Sequence, residues 1–422
     1  MPDFLKVPRI NAPKVFDLPQ VNEMTLANQL KVYHLADAHM DSVKMEWCFP
    51  AGRSAEVKRS AGELCTRMLR EGSRMHTSFE NADYFDYRGS SLYSFNGLDY
   101  AGAGFFSLKK FALQLFERTM SILTHPRFSG SDLRLIKKIK SDQLKVALTD
   151  NDIVSFRELT LQIFGKEHSY GYNTTEETIR SVTRHDLIEH YDLNYWTEGS
   201  FVILAGNVGP ETLEIILKQL EIIPLSSRHT VKITPLPTQE ARVIAIPGTN
   251  RTQLSVKMGY TTLNKSHSDY PYLYVLNILI GGYFNSRLNK SIREKKGLTY
   301  HISSQLDTAL LGSLYYITAD TSGIHVNEML SEILKQLNRL LRIPPGKSEF
   351  SMIRNYIIGN MHQLYDGVYN TAETLKNCLV EEISYDSGRD LMMAIKTMDQ
   401  EAFFHKTQQY LNPEKMLTVI AG

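Results

Sequence analysis

The segment GGYFNSRLNKSIREKKGLTYHISS, residues 281–304, divides into a helix, a stop and a strand. From Ser286 onward it predicts a helix whose last turn gathers Arg293, Lys295 and Lys296, where cations face the negative end of the helix dipole. Gly297 fits the left-handed residue that closes such a helix, and a strand is expected to begin at Leu298. Taken by themselves, Arg293 and Tyr300 would be a surface cation and a strand aromatic.

The same order of elements occurs twice. The early strands VKMEWCF (43–49) and RTQLSVKMGY (251–260) each precede a helix that ends in charge and glycine, CTRMLREG (65–72) and SIREKKG (291–297). Strand-like runs containing Leu-Asp come next, SSLYSFNGLD (90–99) and SSQLD (303–307). Long helices follow, LKKFALQLFERTMSIL (108–123) and HVNEMLSEILKQLNRLL (325–341). In the second of these, Met329, Ile333, Leu337 and Leu340 recur at helical spacing. Each half contains a late apolar strand with Ala-Gly near its end, SFVILAGNV (200–208) and MLTVIAG (416–422). The pattern predicts a duplicated α+β chain with two homologous domains of about 200 residues each. They are placed at residues 1–225 and 240–422, with a connector at 226–239 where Pro235 and Pro237 favour an extended backbone.

Composition narrows the function. The 422 residues are 42% hydrophobic and 22% charged, an ordinary globular balance. With 47 basic and 46 acidic side chains the net charge is +1, which gives no sign of nucleic acid or an anionic membrane as partner. The three cysteines, Cys48, Cys65 and Cys378, are far apart and suggest neither a disulfide framework nor a thiolate metal site. The N-terminus MPDFLKVPRINAPKVFDLPQ has no apolar core of a signal peptide, and no apolar run is long enough to span a bilayer. A cytoplasmic protein is expected.

Several motifs have a structural reading. His185 and His190 lie five apart, which on a helix turns their rings roughly 140° from each other, whereas a zinc helix needs i, i+4 spacing. Thr183 with Asp186 reads instead as an N-cap and its capping-box partner. Gly102 and Gly104 sit inside a strand-like run and suggest close packing rather than a phosphate cradle. The basic run KKIKSDQLK (137–145) reads as a solvated helix face.

From Ser286 to Tyr300 the sequence resembles the SRL-x(3)-IRE-K-x-GL-x-Y signature of the insulinase/pitrilysin family of zinc peptidases, especially its mitochondrial-processing-peptidase-like branch. Residues 26–56, 88–100 and 164–208 are similar to that family's opening, its substrate strand and the end of its first domain. The resemblance implies that each domain is a mainly antiparallel sheet with helices packed on one face. Catalytic members bind zinc through an inverted His-x-x-Glu-His helix and a downstream glutamate, leaving an open position for water, with the Glu inside the motif as general base. Aligned on Met68-Leu69 and Gly72-Ser73, that window falls on Glu63 to Arg67. Glu63 stands for the first His, Thr66 for the base and Arg67 for the second His. The distal glutamate falls near Ser141 or Asp142, and residues 130–152 contain no Glu. An arginine cannot lose its proton to bind zinc, so no metal is expected on this chain. Glu63 and Arg67, four apart with the acid first, are expected to form a helical ion pair filling the former metal site.

The second half keeps what the first half lacks. Arg293 and Tyr300 match the family's Arg and Tyr that help bind peptide and stabilise the tetrahedral intermediate. The guanidinium offers a fixed fork of donors and the phenol a donor to the oxyanion. Leu92, Tyr93, Ser94 and Phe95 match the substrate strand, with Tyr93-Ser94 where Asn-Ala is common. Some bacterial members of the family are heterodimers with zinc on one subunit and the Arg/Tyr pair on the other. The resemblance therefore implies a subunit that is inactive alone and completes the site of a zinc-bearing homologous partner, acting on peptides in a closed chamber. The alternative is a non-catalytic scaffold or peptide-binding protein of the same fold, possibly homodimeric.

Overall fold

The computed structural model describes residues 13–231, 234–238, 240–248 and 253–422. Part of the predicted N-terminal segment, of the connector and of the strand at 251–260 lies outside these residues.

The duplication is written into the sheet topology. In the first half, strands β1 (Asn22–Thr25), β2 (Lys31–Ala36), β3 (Ser42–Phe49), β4 (Ser91–Asn96), β5 (Ala101–Leu108) and β6 (Phe201–Gly206) form one sheet, in the order β1-β2-β6-β3-β5-β4. In the second, β7 (Val243–Ile246), β8 (Leu254–Thr262), β9 (Ile302–Asp307), β10 (Ser313–Thr321) and β11 (Leu417–Ala421) form the order β7-β11-β8-β10-β9. Without β1, the two orders superpose strand for strand. The last strand of each half runs parallel to the first of the matching five, β2 with β6 and β7 with β11, and every other pairing is antiparallel.

The predicted helices form because their apolar faces meet these sheets. The long pair appears as Ala112–Thr124 and Val326–Arg342, and Met329, Ile333, Leu337 and Leu340 are all buried against the second sheet. Gly102 and Gly104 are packing glycines: an added Cβ would lie 2.1 Å from the Trp47 carbonyl oxygen at the first and 2.6 Å from that of Met45 at the second.

Within each half the helices gather on one face of the sheet. The opposite face is covered by a helix from the other half. Helix Asn151–Phe164 packs Leu159, Ile163 and Phe164 on Leu314, Tyr316, Leu417 and Val419 of the second sheet. Helix Gly367–Val380 packs Ala372 and Leu375 on Tyr33, Leu35, Phe201 and Ile203 of the first. Each exchange is pinned by a buried lysine in the repeated triplet Val-Lys-Met. Lys44 on β3 bonds Glu373, and Lys257 on β8 bonds Asp152. On the first sheet the charges close into a ring: Lys44–Glu46 at 2.7 Å, Lys44–Glu373 at 3.1 Å, Lys376–Glu46 at 3.1 Å and Lys376–Glu373 at 2.8 Å. Burial works to lower the Lys376 ammonium, but the Glu46 charge and the Glu373 hydrogen bond outweigh it and hold the group above its ordinary range.

One boundary differs from the sequence expectation. The strand after Gly297 begins at Ile302 rather than Leu298. The Thr299 hydroxyl hydrogen-bonds the carbonyls of His301 and Asp320 and accepts from the His301 amide, so a side chain supplies partners that a strand ladder would otherwise provide. Tyr300 consequently lies in a loop ahead of β9.

The helix Arg184–Asn194 begins with the predicted capping box, Thr183 accepting from the Asp186 amide. His185 is exposed and His190 buried, as their spacing requires. His190 Nε2 donates to the Ala51 carbonyl at 3.1 Å, and its Nδ1 accepts from the Asn194 amide at 3.2 Å. Burial pushes the imidazole down to about 4. The unfolded chain takes up this proton near pH 6.5 and the folded chain only near 4. The stabilisation is therefore complete above 6.5 and is lost as pH falls toward 4, by about 3 kcal/mol. Urea unfolding at pH 7 and pH 4 should show His190→Gln losing that share of the pH dependence; an unchanged slope would refute it.

Candidate functional site

Helix Ala61–Leu69 carries Glu63, Thr66 and Arg67. Its first turn is fastened by Glu56, whose carboxylate accepts from the Ser60 amide at 3.1 Å and the Gly62 amide at 2.9 Å. Alongside runs β4, the edge strand of the first sheet. Between them opens a cavity of about 540 Å³, lined by Glu63, Thr66 and Arg67, by Ser94 to Leu98 on and after β4, and by Arg53, Arg70 and Lys140.

The expected Glu63–Arg67 ion pair does not form. Glu63 instead accepts from Lys140 at 2.5 Å, while Arg67 turns to Glu71 at 3.7 Å. Lys140 wins because helix Gly130–Ala147 packs directly against Ala61–Leu69 and brings an ammonium across from the side. Part of the basic run at 137–145 is thus not a plain solvated face: Lys140 faces the cavity and Lys137 donates to the Arg180 carbonyl at 2.8 Å. Thr66 is fully engaged, with its hydroxyl 2.9 Å from both the Gly62 carbonyl and the Tyr195 hydroxyl and 3.2 Å from the Asn96 amide.

These residues do not fit a zinc ion. Among the described residues no group of three His, Cys, Asp or Glu side chains converges as a metal site. The cavity walls carry four cations against one carboxylate, a field that repels a divalent cation.

On β4 the side chains alternate. Ser94 and Asn96 face the helix and the cavity, and Leu92 packs into the same core. Tyr93 crosses to the opposite face, where burial and then the Glu46 carboxylate push its phenol up. Phe95 also reaches that side, beneath the Lys376 ammonium at 4.9 Å. Among the described residues the strand hydrogen-bonds to β5 alone, and its other edge presents main-chain donors and acceptors that no described strand pairs.

Arg293 and Tyr300 do not line this cavity. They belong to the second half. Arg293 sits on the seven-residue π-helical turn Asn289–Lys295, a rare geometry that recurs at functional sites. Gly297, at φ 63°, turns the chain as expected. Arg293 is exposed, its guanidinium 4.9 Å over the ring of Phe284, which is itself exposed. Tyr300 is 98% exposed, and its hydroxyl bonds no other described residue.

Sequence reasoning missed Arg53, Arg70 and Lys140. A signal existed for the last: Lys140 adjoins the Ser141–Asp142 position near which the resemblance puts the family's distal glutamate.

Comparison with known proteins agrees with this architecture. Residues 181–357 match the family profile of the peptidase M16 inactive domain. The chain is 27% identical over 280 residues to the uncharacterized zinc protease YmxG of Bacillus subtilis (strain 168), covering 64% of this chain and 67% of that one. A peptidase M16 inactive domain from Pseudomonas fluorescens superposes with a TM-score of 0.86 at 19% identity, over 95% of this chain and 98% of the other. A protease from Helicobacter pylori gives 0.87 at 15% identity, over 96% and 100%. The fold is that of the M16 peptidases. The chain is similar to this family, the insulinase/pitrilysin peptidases, in its fold and over residues 181–357, and it lacks the zinc motif.

Proposed function

We propose that this chain is the metal-free subunit of a heterodimeric zinc peptidase. It presents Arg293 and Tyr300 to a partner's zinc site and helps hold extended peptides within a closed chamber. The observation that carries the reading is the display of these two side chains. An almost fully exposed tyrosine and an arginine stacked on an exposed phenylalanine have no use inside the chain. The partner is a homologue with an intact His-x-x-Glu-His helix, which supplies the metal and the general base. This chain carries no cofactor and is inactive alone. Its three cysteines are buried and unpaired, in keeping with a reducing, cytoplasmic setting. No helix among the described residues is long and apolar enough to cross a membrane.

Co-purification with such a homologue tests the proposal. The expected result is a stable pair with zinc only on the partner, and cleavage of an unstructured peptide only by the pair. One equivalent of zinc on this chain alone would overturn it. A stable complex without gain of activity would favour the scaffold reading instead.

A further inference from the structure

The four cations around the cavity beside β4 are poorly matched within the chain. Lys140 has Glu63, and Arg67 reaches Glu71 only at 3.7 Å. Arg53 lies 3.7 Å over the Tyr172 ring and donates to the Tyr172 carbonyl, but its Nε, though buried, has no hydrogen-bond partner among the described residues. The Arg70 side chain forms no ion pair or hydrogen bond with any described residue, and it stands close enough to Arg67 and Glu71 to feel both charges. Burial lowers the Arg70 guanidinium, and Arg67 lowers it further. Glu63 and Glu71 offset part of this charge, and four cations held together at the wall of a cavity leave a positive potential that an external anion would relieve. Arginine is the side chain best shaped to take a carboxylate, through two parallel N–H donors.

The neighbouring strand says what carries that anion. β4 is an edge strand with one free main-chain face, and Ser94, Asn96, Gly97 and Leu98 form the cavity's other wall. An extended peptide added to this edge would project alternate side chains toward the arginines.

We propose that the cavity binds a carboxylate of an extended peptide lying along β4, with Arg67 and Arg70 as the carboxylate ligands. The cavity is thus an acidic-residue subsite, placed where catalytic relatives hold a metal. This deepens the peptide-binding part of the proposed function, and it needs no partner subunit.

Isothermal titration of the full chain alone tests it with three unlabelled peptides. The first is blocked at both ends and has one central glutamate. The second is the same peptide with glutamine. The third is the glutamine peptide with a free C-terminal carboxylate. The glutamate or the free-carboxylate peptide should bind roughly tenfold tighter than the blocked glutamine peptide, and which of the two does so identifies a side-chain or a terminal carboxylate. The preference should shrink as ionic strength rises from about 0.1 to about 1 M. Arg67→Ala with Arg70→Ala should abolish it, and Arg70→Lys alone should retain part of it. Thermal unfolding of each variant separates lost binding from lost folding. Equal affinity for all three peptides, or a preference that survives in the folded double variant, would overturn the proposal. Failure of the heterodimer to cleave peptide would not change this binding result, so the two readings fail separately.

Discussion

Tyr300→Phe is expected to lower kcat of the assembled, zinc-loaded heterodimer by roughly 100- to 1,000-fold, the loss seen when one oxyanion donor is removed. The substitution deletes a single hydroxyl that bonds no other described residue, so its effect on the chain's own unfolding should stay within about 0.5 kcal/mol. A donor used only as charge develops on the substrate oxygen lowers kcat and kcat/KM together and leaves KM nearly unchanged. Arg293→Ala should behave differently. In the proposed role the guanidinium would also contact the ground-state peptide, so KM should rise as well. Steady-state kinetics with a fixed excess of partner, alongside urea unfolding, separates these effects. Full kcat in Tyr300→Phe would remove the phenol from the chemistry.

Glu46→Gln is expected to destabilise the chain by about 3–5 kcal/mol, as breaking a buried pair does when one charge stays behind. Glu46 is 1% exposed and joins Lys44 to Lys376. Without its charge, buried Lys44 keeps only Glu373, which is half exposed. Lys44→Met combined with Glu46→Leu should recover much of the loss, because an apolar pair can replace a buried ion pair. Denaturant midpoints of the single and double variants measure both. A loss under about 1 kcal/mol for Glu46→Gln would mean that apolar packing alone holds the Gly367–Val380 helix on the first sheet.

Much of this architecture was legible in the residues. The recurrence of Val-Lys-Met, of a helix closed by glycine and of a late strand ending in Ala-Gly corresponds to two sheets of matching strand order. Local chemistry also held where it is self-contained, as in the Thr183–Asp186 cap and the packing glycines of β5. What could not be read is the set of contacts between residues far apart in the chain. Lys44 and Lys257 look like strand-edge lysines until the crossing helices supply Glu373 and Asp152. Glu63 and Arg67 have ideal spacing for each other, and a weak exposed helical pair still gives way to a lysine delivered from another helix. The Leu298 boundary failed for the same reason, since the Thr299 hydroxyl finds partners on β10 that no local pattern reveals.

The exchange of covering helices has a mechanical consequence. Each sheet is roofed by a segment of the opposite half, so bending the chain at its connector would strip two apolar faces at once. The polypeptide should move as a single shell. In the proposed pair, a substrate would then have to pass through a seam between two such shells, and the gate would belong to their contact surface rather than to a hinge in either one.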